Sequence, residues 1–245
     1  MKRIISMLMV LCMSSVFIVP AGAVNVSTER EEDFAVKAIV SEKVNQYPVA
    51  ERIADAKRGY IDENVREEVL ASVAFSNGEA GENSRVLASN LTETDGASID
   101  YSIKNLGEVV VDGQSVGTMY SATGVEKTKE DSKELKDVNV AAYLTVVWID
   151  NAGYDNVLVE VSGGWNDRWG YYKENRRVSY SATDLDGIGD SDTKRPSGDS
   201  FTYSNINYHG LSISAASFID IDVSKPNSDP EMKTFKFSLS PTIFD

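Results

Sequence analysis

From Ser98 to the C-terminus the chain keeps returning to one pattern, an apolar residue alternating with a polar one. Val178, Tyr180 and Ala182 alternate with Ser179, Ser181 and Thr183. Ile219, Ile221 and Val223 alternate with Asp220 and Asp222, and Phe235, Phe237 and Leu239 with Lys236 and Ser238. A period of two sends each apolar set to one face of an extended strand, so each segment needs an apolar surface to lie against. Val157, Val159 and Val161 read the same way. Val140 to Ile149 is apolar on both faces, as expected of a central strand covered on both sides. Asp112-Gly113, set between Val109–Val111 and Val116–Ala122, is a tight hairpin signal. These segments specify antiparallel sheets stacked face to face: a mainly β fold, an antiparallel β-sandwich of about eight to ten strands, with a short N-terminal helical region. The tetrad Tyr-Ser-Ala-Thr occurs at 120–123 and at 180–183. Shared strand composition accounts for it more simply than a duplicated hairpin does.

Ahead of the strands, residues 24–76 favour helix. Thr28 and Glu31 have capping-box spacing, and Glu29, Glu31, Glu32 and Asp33 suit the first turn of a helix. Val36, Val40 and Val44 recur four apart beside Ile39 and Tyr47, and Pro48 ends that piece. A second piece, Val49 to Arg58, has Ile53 and Ala56 on one face and stops at Gly59. A third starts near Asp62 with Val65, Val69 and Val73 four apart. Its tail, Val69 to Phe75, reads equally well as a strand. Residues 77–97 form a polar connector, in which Val86-Leu87 would be a short strand, and 98–245 form the sandwich.

Residues 1–23 have the features of a secretory signal peptide. Lys2 and Arg3 are followed by an apolar run from Ile4 to Val19, Pro20 breaks it, and Ala21-Gly22-Ala23 supplies a cleavage site. The run is short of the roughly 20 residues that span a bilayer, so no stable membrane anchor is expected. Cleavage after Ala23 would also remove Cys12, the one cysteine of the chain. A secreted chain of this length without cysteine reads as bacterial and extracellular.

The net charge of −14 argues against nucleic acid, whose phosphates require clustered Lys and Arg. No phosphate-cradling glycine loop, nucleophile elbow or cysteine and histidine metal set is present, and His209 is the single histidine, in a stretch that reads as a turn. Two constellations stand out. Trp165, Asn166, Asp167, Arg168, Trp169 and Tyr172 follow Gly163-Gly164 and combine flat rings with hydrogen-bonding groups, a set suited to stacking on sugars. Trp148, upstream in the doubly apolar strand, reads as core. Asp184, Asp186, Asp190 and Asp192 form an acidic, glycine-containing loop, and calcium is the cofactor it would take. Its spacing fails the helix–loop–helix template, since Ile188 falls where a ligand should stand. A solvated hairpin loop is the plainer reading.

The expected role is therefore binding or surface interaction, with a glycan or another cell-surface ligand as partner, recognised through the aromatic loop. Two alternatives stay open. One is a secreted glycan hydrolase using carboxylates among Asp150, Asp155, Glu160 and Asp167. The other is a secreted bacteriocin-like or toxin-like protein.

Overall fold

A computed structural model describes residues 25–63, 65, 68–77, 97–128, 140–151, 156–167, 173–222 and 232–242. Helices α1 (Asn25–Asn45) and α2 (Val49–Arg58) precede ten strands among the described residues. These are β1 (Glu68–Asn77), β2 (Ala97–Val111), β3 (Gln114–Thr128), β4 (Val140–Asp150) and β5 (Asn156–Asp167), then β6 (Lys173–Thr183), β7 (Gly189–Lys194), β8 (Ser200–Gly210), β9 (Ser212–Asp222) and β10 (Met232–Thr242). They form two five-stranded sheets, ordered β1-β10-β9-β6-β7 and β2-β3-β4-β5-β8, with antiparallel pairing throughout. The mainly β sandwich with a short helical region follows from the alternation as expected.

The two sheets meet over one core. Val178, Tyr180 and Ala182 of β6, Ile219 and Ile221 of β9, and Phe235, Phe237 and Leu239 of β10 all point inward. Leu144, Val146 and Trp148 of β4 meet them from the other sheet. The other face of β4 is apolar for a separate reason. Val147 and Ile149 lie under α1, against Val40 and Val44, in a second buried layer with Val109, Met119 and Val159. The strand is thus covered on both sides, and the molecule has three layers: helices, sheet, sheet. Asp112 (φ 50°) and Gly113 (φ 77°) turn β2 into β3. Two successive positive φ values suit a two-residue hairpin turn and explain the Asp-Gly pair. Both copies of the repeated tetrad lie in strands, β3 and β6, with Tyr and Ala inward in each.

Several expectations need correction. The residues from Glu68 form strand β1, not the end of a third helix, because β1 pairs along its whole length with β10. The tail's β-branched and aromatic content therefore outweighs its spacing of four. Helix α1 begins at Asn25, so Thr28 lies inside it and no acid stands in its first turn. The buried face of α2 consists of Arg52, Asp55 and Ala56, with Ile53 half-buried. His209 lies within β8, and the chain turns at Leu211 instead. The alternation of Val157, Val159 and Val161 is interrupted: Trp148 faces Leu158 while Val147 faces Glu160, so Val159 is an extra residue. This bulge sends Val159 toward the helices and Val161 into the sandwich. The connector with Val86-Leu87, the segment 1–23 and Val223 lie outside the described residues.

Candidate functional site

The sequence places its main hopes on the segment that ends β5. Trp165 is only 3% exposed and its ring lies 5.2 Å from Phe201, inside the core. It is not available as a stacking platform. The Gly163-Gly164 pair before it serves packing: a Cβ at Gly163 would lie 2.6 Å from Phe201 Cζ and 2.7 Å from the Tyr143 carbonyl oxygen. Asn166 is exposed, and Asp167 is the last residue of β5. Arg168, Trp169 and Tyr172 lie outside the described residues. Trp148 is core, fully buried and stacked on Tyr120 at 5.6 Å.

The four aspartates of the proposed calcium loop are not gathered. Asp184 turns its carboxylate onto its own loop, where Oδ1 accepts the N–H groups of Asp186 (2.9 Å) and Ile188 (2.8 Å). Asp186 lies exposed in the turn. Asp190 and Asp192 sit on β7 opposite Ala182 and Tyr180, and Asp192 Oδ2 lies 2.5 Å from Lys194 Nζ. Among the described residues no group of three or more acids, histidines or cysteines could hold a metal ion.

The carboxylates of the hydrolase reading are likewise dispersed. Asp150 closes β4 at one end, while Asp167 pairs with Val140 at the other, about 35 Å away at 3.4 Å per residue. Glu160 lies between them, buried beneath α2, where Oε1 accepts from Arg52 Nη1 at 3.0 Å. Asp155 lies outside the described residues. Neither of the separations used in glycoside hydrolysis, about 5 or 9 Å, fits Asp150 with Asp167.

A different constellation comes together where β7 and β8 meet along the open side of the sandwich. β8 turns Phe201, Tyr203 and Tyr208 toward the opposite sheet, and β6 contributes Tyr180. Ring centroids run from Trp165 to Phe201, from Phe201 to Tyr203 (5.7 Å), from Tyr203 to Tyr180 (6.0 Å) and from Tyr180 to Tyr208 (5.8 Å). The row passes from buried Trp165, Phe201 and Tyr180 to half-buried Tyr203 and Tyr208. The Tyr180 hydroxyl donates to Asp192 Oδ2 at 3.5 Å, and Lys194 closes the group.

The electrostatics suit recognition better than proton transfer. Burial, reinforced by the Asp192 carboxylate, pushes the Tyr180 hydroxyl up to about 12, and burial also raises that of Tyr203. Both hydroxyls stay protonated at neutral pH and can donate. The hydrogen bond with Lys194 holds the Asp192 carboxyl below the usual range, and the same contact raises Lys194. The site thus offers aromatic faces, hydroxyls, one anion and one cation, with no base poised near neutrality. The sequence reading left Tyr203 and Tyr208 unassigned. Alternation at Phe201-Thr202-Tyr203-Ser204 is their signal, but Asn205 and Asn207, residues typical of turns, mask the strand.

The fold and this edge define a helix-covered β-sandwich with a row of aromatic side chains along one open side. The chain matches no protein-family model, no curated protein and no solved structure.

Proposed function

We propose that this is an exported binding protein, not an enzyme, which recognises glycans through the tyrosine-rich edge between β7 and β8. The convergence of Tyr180, Tyr203 and Tyr208 on Asp192 and Lys194 carries this reading. The half-buried rings of Tyr203 and Tyr208 present apolar faces to the C–H face of a sugar, while the charged pair and the hydroxyls address its hydroxyl groups. Asn166 and Asp167 follow directly from the buried end of the same row of rings. Export rests on Lys2, Arg3, the apolar run and Ala21–Ala23. No described helix is long and apolar enough to cross a membrane.

A glycan array probed with the purified protein tests recognition. Tyr203→Ala should weaken the strongest interaction by about 1–3 kcal/mol, the range for rings that stack on flat ligands, and Asp192→Asn should also weaken it. An array with no binding, or binding unchanged in both variants, would overturn the proposal. Export has its own check: mass spectrometry of secreted material should find Val24 as the first residue, and retention of Met1 would count against it.

A further inference from the structure

On the other face of β8 lies a cleft of about 190 Å³, between α1 and the outer surface of the sheet. Val40 of α1, Val116 of β3, Ile149 of β4, and Val157 and Val159 of β5 form its apolar floor. The β5–β8 ladder is irregular here: Leu158 pairs with Tyr208 and Glu160 with Ser204, so one residue of β5 faces three of β8. Asn205 takes φ 59° within this bulge. Asn205 and Asn207 line the mouth beside Lys37 and His209. Among the described residues the lining contains no carboxylate, although acids far outnumber bases in the chain. Lys37 is exposed, and no ion pair among the described residues engages it.

We propose that this cleft binds a small free carboxylate with an alkyl or aryl tail. The tail lies on the valines and the carboxylate meets Lys37 and His209. The volume sets the size. A cavity of about 150 Å³ takes benzene, so this one suits about six to eight carbons. The charge sets the head group. In an acidic protein an anion is repelled from most of the surface, and a mouth whose described residues offer a lysine and a histidine is where it can settle. An apolar floor beneath a few polar groups at the rim is the usual form of a small-ligand site. This site lies on the outer face of the sheet, away from the tyrosine row, and does not depend on the glycan proposal.

Calorimetric titration of the full chain with octanoate, octanol and octylamine tests it. Octanoate should bind saturably at one site, at least tenfold more tightly than octanol, with octylamine weaker still. Val157→Trp, which fills the cleft from a half-buried position, should abolish octanoate binding. Lys37→Gln changes an exposed residue with no role in the core, and should weaken octanoate about tenfold while leaving octanol unchanged. Tyr203→Ala should leave octanoate binding intact. Absence of saturable octanoate binding into the millimolar range would overturn the proposal, as would equal affinity for all three compounds. Undiminished octanoate binding in Lys37→Gln would also overturn it, whether or not Val157→Trp folds.

Discussion

Two tryptophans show how far a single residue can be read. Trp148 is legible as core because its neighbours are apolar on both faces, so no orientation of the strand exposes it. Trp165 is not legible, because its face depends on the register of β5 and the Val159 bulge shifts that register beyond Leu158. Trp165→Ala should cost about 3–5 kcal/mol of stability, as for other buried large side chains, which thermal or urea melting against the parent would measure. A loss below about 1 kcal/mol would place the ring outside the core. Asp55 permits a second test at this scale. Burial alone would raise its carboxyl, but hydrogen bonds from Arg58 and from the Tyr47 hydroxyl (2.8 Å), with Lys104 nearby, outweigh it and hold the carboxyl below the ordinary range. The folded state therefore gives up this proton more readily than the unfolded chain. Its stabilisation is present above the ordinary carboxylate pKa of about 3.9 and is lost as pH falls through the lower, folded value. Asp55→Asn should be less stable than the parent at pH 7, with the gap closing below about pH 4. A gap that stays constant through pH 3 would show that Asp55 acts without its charge.

At the scale of elements, α1 and α2 dock on the sheet by different chemistry. The valine stripe of α1 is read from its spacing, and Val40 and Val44 are buried as that stripe requires. The buried face of α2 is not legible, because its largest inward residue is an arginine and arginines are normally solvated. Arg52 is tolerated there because each of its three nitrogens donates a hydrogen bond. Nε donates to the Tyr47 carbonyl at 2.7 Å, Nη2 to the Val44 carbonyl at 3.1 Å, and Nη1 to Glu160 at 3.0 Å. Ser162 Oγ also donates to Glu160 Oε1, at 3.3 Å. One side chain thus joins the end of α1, the turn before α2, and β5, a partner set more than a hundred residues apart in sequence that no local pattern reports. The Val159 bulge completes it by turning Glu160 toward the helices. Arg52→Ala should cost about 3–5 kcal/mol, because it leaves a buried carboxylate without its counter-charge. Arg52→Met combined with Glu160→Leu should lie closer to the parent than Arg52→Ala does, since it removes both charges together. If the single and double variants melt at the same temperature, the pair contributes packing only.

Across the whole molecule the sandwich is legible, but the order of its strands is not. Alternation tells each strand which face to bury, yet it does not tell β1 that its neighbour will be β10. That pairing joins the first strand to the last, and β10 is the single strand beside β1 in its sheet. Sheet β1-β10-β9-β6-β7 therefore cannot be completed until the C-terminal residues are in place. The dependence has a magnitude. Phe235, Phe237 and Leu239 are fully buried, and burying such a side chain contributes about 1.5–3 kcal/mol. Together they contribute about 5–9 kcal/mol, comparable with the roughly 5–15 kcal/mol that stabilises a whole domain. A chain ending at Asp222 would lose all three, would leave β1 without a partner, and would expose the edge of β9. Such a chain should show no cooperative thermal transition by circular dichroism, even with both helices and all the residues of the tyrosine row present. Because the decisive pairing is non-local, refolding of the intact chain should be slow for its size, in the range of milliseconds to seconds seen for β-sandwiches. Cooperative melting of the truncated chain within a few degrees of the parent would mean that the helices and the other sheet form an independent folding unit, and that β1 and β10 only cover it.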